Sequence, residues 1–329
     1  MSWTVDELAP HYAGKRVLLT GANGFVAGHL SRRLHQLGAL TFGVGRQSEA
    51  RHERISYLRC DLRDTAAVAS VFAEARPHFL FHLASQASVG TSWDSEWETI
   101  EANVRTTFNA LKAIDRLQLP TRMLLVSSGE VYGDRDAPAE VGMPLRPLNP
   151  YAAAKAMMET LVHGFRRSSL SYVIARAFNH TGPGRPTGYF ESSMAAQIAE
   201  AVTAGAHHVV LRTGNVDSVR DYSDVRDVAD KYLTLAALEP SGAIHNVSSG
   251  RPITLREVID MLAAAAGVTV ETEVDPARLR RNDLPYLVGV NSAAGPERPL
   301  ASTLGDLMSE RLELAARALK RSAPTGSER

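Results

Sequence analysis

The stretch from Lys15 to Gly38, KRVLLTGANGFVAGHLSRRLHQLG, constrains the fold more than any other part of the chain. Apolar, β-prone residues run to Thr20, a glycine-rich turn follows, and apolar residues then recur at helical spacing. Gly21 permits a tight turn, and Gly24 lets backbone approach a pyrophosphate, whose charge suits the free amides of a helix N-terminus. The third glycine position holds Ala27, with Gly28 beside it; alanine is small enough for close helix–strand packing. An ordinary strand-to-helix turn has the same ingredients, so the rest of the chain decides.

The rest alternates. LTFGVG, ISYLRCD (55–61), HFLFHLA (78–84), RMLLVSS (122–128) and YVIARAFN (172–179) read as strands. DTAAVASVFAEA, the segment from about Ser95 to Leu117, and Tyr151 to Arg167 read as helices between them. Such alternation specifies a parallel sheet covered on both faces. After Asn179 the chain passes through HTGPGRPTGYF into a helical pattern from Glu191 to Ala204. Asp224 is placed to N-cap DVRDVADKYLTLAAL, and AIHNVSS returns to the sheet. The expected fold is α/β: a Rossmann-type doubly wound parallel sheet over 14–179 plus about 222–250, with a smaller, discontinuous α/β substrate lobe over about 180–221 plus 251–315. RSAPTGSER (321–329) reads as a disordered tail.

Charge narrows the partners. With 36 basic and 36 acidic residues the chain carries no net field toward nucleic acid or membrane. Cys60 is the only cysteine, which leaves no internal disulfide and no zinc-type ligand set. His207 and His208 would face opposite ways on a strand and make no metal pair. MSWTVDELAP lacks the basic start and apolar stretch of a leader, so a cytoplasmic setting is expected.

Tyr151 and Lys155 lie four apart in PYAAAK, and Pro150 at a helix start puts both on one face. An ammonium beside a phenol favours the phenolate, and Ser128 at a strand end adds a second donor to the same substrate oxygen. Arg46, where strand two ends, stands where an NAD site would carry an acid; it suits the 2′-phosphate of NADP, or is surface charge. Asp61 accepts from an adenine amino group or fixes the following turn.

In this order and number the motifs TGANGF, Asp61-Leu62, HLASQASV (82–89), Asn103-Val104, SSGEVYG (127–133), Tyr151 with Lys155, ARAFNHTGPG (175–184) and VRDYSDV (219–225) resemble the extended short-chain dehydrogenase/reductase family, in its nucleotide-sugar branch. FNH (178–180) and DPARLRRNDLPYLVG (275–289) are most similar to GDP-mannose 4,6-dehydratases and GDP-4-keto-6-deoxymannose reductases. The resemblance covers about Lys15 to Asn291. It implies an NAD(P) cofactor, with NADP(H) favoured by Arg46 and NAD(H) the other option. The implied cofactor contacts are Gly21, Asn23, Gly24, Phe25, Val26, Arg46, Asp61, Leu62, Leu83, Ala84 and Ser85, with Tyr151 and Lys155. It further implies Tyr151 as acid–base residue, Lys155 on the nicotinamide ribose, Ser128 on the sugar carbonyl, and Glu130 as sugar ligand or base. Asn179, Arg220 and Arg280 would hold the diphosphate, and Asp283 would lie near the nucleoside. His180 is a substrate donor or a structural histidine, and Arg278, Arg280 and Arg281 would otherwise be a solvated charge run. A homodimer through the two long helices near 95–117 and 151–167 is also implied. The chain departs from the family at SAAGPERP (292–299), which is shorter than usual.

Gly129 bears on the chemistry. A 4,6-dehydratase needs a base for the C5 proton and an acid for the departing C6 hydroxyl; Glu130 offers the first, and Gly129 has no side chain for the second. The expected reaction is therefore NAD(P)H-dependent reduction of a nucleotide-linked 4-keto-6-deoxyhexose, GDP-4-keto-6-deoxymannose to GDP-D-rhamnose. The alternatives are a 4,6-dehydratase or 4-epimerase that retains its cofactor, or a non-catalytic nucleotide-binding protein on this fold.

Overall fold

A computed structural model describes residues 5–86, 91–93, 95–165, 170–279 and 283–322. The elements that build the first layer are α1 (Val5–Tyr12), β1 (Arg16–Thr20), α2 (Phe25–Gln36), β2 (Leu40–Gly45), β3 (Ser56–Arg59), α3 (Thr65–Ala75), β4 (Phe79–His82), α4 (Glu96–Arg116), β5 (Arg122–Ser128), α5 (Pro150–Gly164) and β6 (Ser171–Ala177). There follow β7 (Asn179–Thr181), α6 (Phe190–Thr203), β8 (His208–Thr213), β9 (Val219–Asp224), α7 (Val225–Leu238) and β10 (Ile244–Val247). The chain then continues through β11 (Pro252–Thr254), α8 (Leu255–Ala266), β12 (Thr269–Val274), β13 (Tyr286–Leu287) and α9 (Leu300–Ser322).

Seven strands form one parallel sheet in the order β10-β6-β5-β4-β1-β2-β3. This is the doubly wound sheet expected of the alternating pattern. The central strands β1, β4, β5 and β6 are buried on both faces, which is why they read as near-continuous apolar runs. One face carries α3, α4 and α5 over a core including Leu80, Leu125, Phe72, Ile114 and Met158. The other carries α1, α2 and α7, with Tyr12, Leu30, Leu124, Val173 and Tyr232 packed together. Strand order reverses between β1 and β4, and the crevice at such a switch point is where a doubly wound sheet binds its ligand.

The second lobe is built on α6, α8 and α9 around Ile198, Leu211, Ile259, Leu262 and Leu307. A small four-stranded sheet centred on β9, and the parallel pair β8 and β12, complete it. Asp224 caps α7 as expected, accepting from the Arg226 amide at 2.7 Å. Two elements differ from the sequence reading. Helix α1 lies ahead of the expected domain start at residue 14, where no element was assigned, and α9 continues through Ser322, past the expected lobe limit at 315 and into the expected tail. Residues 323–329, like residues 166–167 at the end of the expected fifth helix, lie outside the described residues. Among the described residues no helix is long and apolar enough to cross a membrane, and no group of His, Cys, Asp and Glu could hold a metal ion.

Candidate active site

A cavity of about 740 Å³ opens at the C-terminal edge of the large sheet and extends under the second lobe. Its cofactor half is shaped by backbone. Gly21 adopts φ +65°, and a Cβ there would come within 3.1 Å of the Ala84 backbone, so the turn demands glycine. Gly24 caps α2 with no side-chain acceptor, which leaves the first amides of the helix facing the cavity. Asn23, Phe25, Val26, Arg46, Asp61, Leu62, Leu83, Ala84 and Ser85 all line this half.

Among the described residues, three polar atoms in the cavity wall are buried without a partner: Ser85 Oγ, Asn179 Oδ1 and Tyr232 Oη. Buried polar atoms are rarely left so in a finished structure, and all three point to a polar ligand. Tyr232, on α7, carries no motif, and its hydroxyl depends on tertiary placement alone. Asp61 chelates its neighbour Arg63 at 2.6 to 3.1 Å, which holds its carboxyl down at about 2. Of its two expected roles, the turn-fixing one is visible, since it also accepts from the Arg63 amide at 3.0 Å.

Beyond the cofactor half, β5 ends at Ser128, which caps a short 3₁₀ turn over Gly129–Tyr132 by accepting from the Glu130 amide at 3.2 Å. Asn149 caps α5, accepting from the Ala152 amide at 2.8 Å while its own amide group donates to Glu130 Oε2 at 3.1 Å. One side chain, missed by the sequence reading, thus ties Glu130 to the helix that presents Tyr151 and Lys155. The Ser128 side chain acts on the Tyr151 phenol, and Lys155 Nζ lies 5.7 Å from the Tyr151 ring centroid. Ser128, Glu130, Tyr151 and Lys155 therefore converge on one wall of the cavity.

Electrostatics differ from expectation. Burial pushes the Tyr151 phenol above its ordinary range; Ser128 and the Arg185 charge oppose this, and Glu130 and Tyr189 add to it. Lys155, which donates to the Val126 carbonyl at 2.8 Å, is brought down to about 7 by burial, with Glu159 opposing. The phenol is held protonated, because desolvation of the anion outweighs the help of Ser128 and Arg185.

Gly129 has a packing reason. A Cβ at this position would meet the Phe178 ring at 2.7 Å, and one at Gly289 would meet the same ring at 2.5 Å. Phe178 is wedged between two glycines, so the direction in which a side chain at 129 would leave the backbone is already filled.

The comparisons with known proteins agree with this geometry. Residues 17–248 match the model of the NAD dependent epimerase/dehydratase family. The chain belongs to that family. GDP-6-deoxy-D-mannose reductase of Pseudomonas aeruginosa is 33% identical over 283 residues, covering 81% of this chain and 85% of that one. Among solved structures, RMD from Pseudomonas aeruginosa complexed with NADPH superposes with a TM-score of 0.77 at 28% identity, covering 91% of this chain and 99% of the other. The UDP-glucose 4-epimerase of Thermus thermophilus in complex with NAD gives 0.79 at 30% identity, covering 90% and 98%. An NAD(P) cofactor is common to the epimerase/dehydratase family, and the glycine turn, the open α2 terminus and the orphaned Ser85, Asn179 and Tyr232 atoms fit it.

On the substrate side the placement is mixed. Asn179 and His180 line the cavity. His180 faces the Phe178 carbonyl through Nδ1 at 3.1 Å, and since a carbonyl only accepts, the ring proton sits on Nδ1 and Nε2 is an acceptor. Burial, helped by the Arg185 charge, brings His180 down to about 3, so it stays neutral and is no donor at Nε2. Arg220 reaches the cavity, but three of its five donors are engaged within the protein, with the Val219 and Leu284 carbonyls and Asp283 Oδ1 at 2.8 to 2.9 Å. Asp283 in turn accepts from Ser218 at 2.8 Å, so the two residues assigned separately to substrate pair with one another. Arg280 and Arg281 lie outside the described residues.

Neutral buried histidines make a testable trait. His82, between the Thr20 and Thr107 hydroxyls at 3.1 Å each, and His180 are both brought to about 3 chiefly by burial, and His29 to about 4. Unfolded, each would titrate near about 6.5. The unfolded chain therefore binds more protons between pH 6.5 and those values, and the stability these residues give is complete above about pH 6.5 and drains away as pH falls. Their imidazole proton resonances are expected to hold neutral-form shifts from pH 8 to pH 5; titration of His82 within that window would contradict the burial argument.

Proposed function

We propose that this protein reduces the 4-keto group of a nucleotide-linked 4-keto-6-deoxyhexose, taking GDP-4-keto-6-deoxymannose to GDP-D-rhamnose with NADPH. The observation that carries the reading is the Ser128, Tyr151 and Lys155 cluster with its phenol held protonated, beside a Gly129 whose side-chain space is filled by Phe178. A protonated phenol is the form an acid needs when a carbonyl becomes an alcohol. The nicotinamide supplies the hydride when bound. Ser128 would orient the substrate carbonyl, Tyr151 would give its proton to the developing alkoxide, and Lys155 would hold the cofactor ribose. The named activity of the Pseudomonas aeruginosa relative, GDP-6-deoxy-D-mannose reductase, supports the choice of sugar. Arg46 supports NADPH: it is exposed directly after β2 and lines the cavity, at the place in the chain where an NAD site would carry an acid.

Glu130 gives the second reading its footing. Its carboxylate lines the cavity and its charge acts on Tyr151, so a base for a C5 proton is within the site. A 4,6-dehydratase would also need an acid at the C6 hydroxyl, and Phe178 fills the place from which residue 129 would offer it. One pair of incubations separates the two. With GDP-4-keto-6-deoxymannose, the enzyme is expected to oxidise one NADPH per sugar, and NADH more slowly. With GDP-mannose and no added cofactor, no keto sugar should form; its appearance would replace reduction by dehydration.

A further inference from the structure

The site contains a guanidinium that neither the motifs nor the pairing of Arg220 accounts for. Arg185, in the loop between β7 and α6, is 7% exposed and lines the cavity. Its Nε donates to Glu191 Oε1 at 3.0 Å, and Glu191 Oε2 accepts from Tyr222 at 3.2 Å. The guanidinium carbon sits 3.5 Å from the Tyr189 ring centroid and 5.2 Å from that of Phe25. Its backbone is held as firmly: Arg311 and Ser192 donate to the Arg185 carbonyl, and Glu310 accepts from the Gly184 amide at 2.8 Å. Neither terminal nitrogen of Arg185 has a hydrogen-bond partner among the described residues. A buried guanidinium clamped by one carboxylate and two rings, with its fork open to a cavity, is preorganised for an oxyanion.

We infer that Arg185 binds the sugar-bearing phosphate of the nucleotide-sugar diphosphate, an inference that rests on the nucleotide-sugar reading above. The shared cavity selects that phosphate. Arg185 and the Tyr189 ring it stacks on line the same cavity as Tyr151, where the reacting sugar carbon must lie, so the phosphate nearest the guanidinium is the one joined to the sugar. The Arg185 charge also acts on the Tyr151 phenol. Arg220, by contrast, has three of its donors committed to Asp283 and two carbonyls.

The test is the affinity of the full chain for GDP against GMP, repeated with UDP against UMP, with NADPH affinity measured alongside. In Arg185→Met, nucleoside diphosphate binding is expected to weaken about 10- to 100-fold, the loss for one hydrogen-bonded charge, with monophosphate and NADPH binding unchanged. Because Glu191 would be left buried and unpaired, the Arg185→Met/Glu191→Gln double variant repeats the measurement without that charge. Equal losses for diphosphate and monophosphate, no loss at all, or a loss that follows NADPH would each overturn the assignment. Wild-type protein that binds neither GDP nor UDP would overturn the nucleotide-sugar reading along with it.

Discussion

Replacing Tyr151 with phenylalanine is expected to lower the turnover of the keto sugar by about 10²- to 10⁴-fold, the range that a positioned general acid contributes. Phenylalanine keeps the ring that fills the cavity wall and removes only the hydroxyl, so NADPH binding should stay at the wild-type level. The loss should fall on kcat more than on KM, because the proton is needed as charge develops on the oxygen and not in the ground state. Ser128 keeps its place at the end of β5 and can still donate to the carbonyl, which sets the residual rate. The direction of the phenol's shift adds a second signature. Burial holds Tyr151 above its ordinary value against Ser128 and Arg185, so the reductive rate should stay level from pH 6 to pH 9 as far as this group is concerned. A variant that turns over at near-wild-type rate would show that another group gives the proton, and the assigned role of Tyr151 would fail.

The parts of this site that were legible in the sequence are those whose cause is local. A glycine at φ +65° and a strand-to-helix turn leave their mark in adjacent residues, and so does a tyrosine one helical turn from a lysine. Arg185 left no such mark. Its Glu191 partner lies six residues on, but the Phe25 ring beneath it comes from the start of α2, and Arg311, which ties down its carbonyl, comes from α9. Charge type is visible in a sequence and charge pairing is not: Arg220 and Asp283 looked like two substrate contacts and form one ion pair, 63 residues apart. Gly129 was legible as an absence, but its reason required Phe178 and Gly289 to be brought against it. Helix α9 is a different case, because Leu300, Leu304, Leu307 and Met308 recur at helical spacing and the signal was present to be read.

The same distinction governs the residue whose loss should most damage the fold. Glu159, one turn beyond Lys155 on α5, forms a buried ion pair with Arg176 of β6 through bonds of 2.8 and 3.1 Å, their side chains 4% and 5% exposed. Glu159 also accepts from the Ser127 hydroxyl at 2.5 Å. Arg176 donates to Tyr132 at 2.8 Å, and Tyr132 donates to Asn246 at 2.7 Å, so the pair ties β5, the 3₁₀ turn and β10 together. Glu159→Gln removes the charge and leaves Arg176 desolvated, which costs about 3–5 kcal/mol, a large share of an ordinary domain's stability of about 5–15 kcal/mol. The urea midpoint should fall accordingly. Removing both charges should cost less than removing one, so Glu159→Leu/Arg176→Met is expected to unfold at higher urea than Glu159→Gln; the reverse order would mean that the pair itself, and not the stranded arginine, holds the sheet. The substitution also withdraws the charge that opposes the burial shift of Lys155, whose value of about 7 should move lower still. The folded lysine would then be neutral over a wider range while the unfolded one still protonates up to about 10.4, so the stability of the variant should rise with pH from below 7 toward 10 over a broader window than in the wild type. The ion pair therefore acts twice, on the stability of the sheet and on the protonation of the lysine that stands one helical turn from Tyr151.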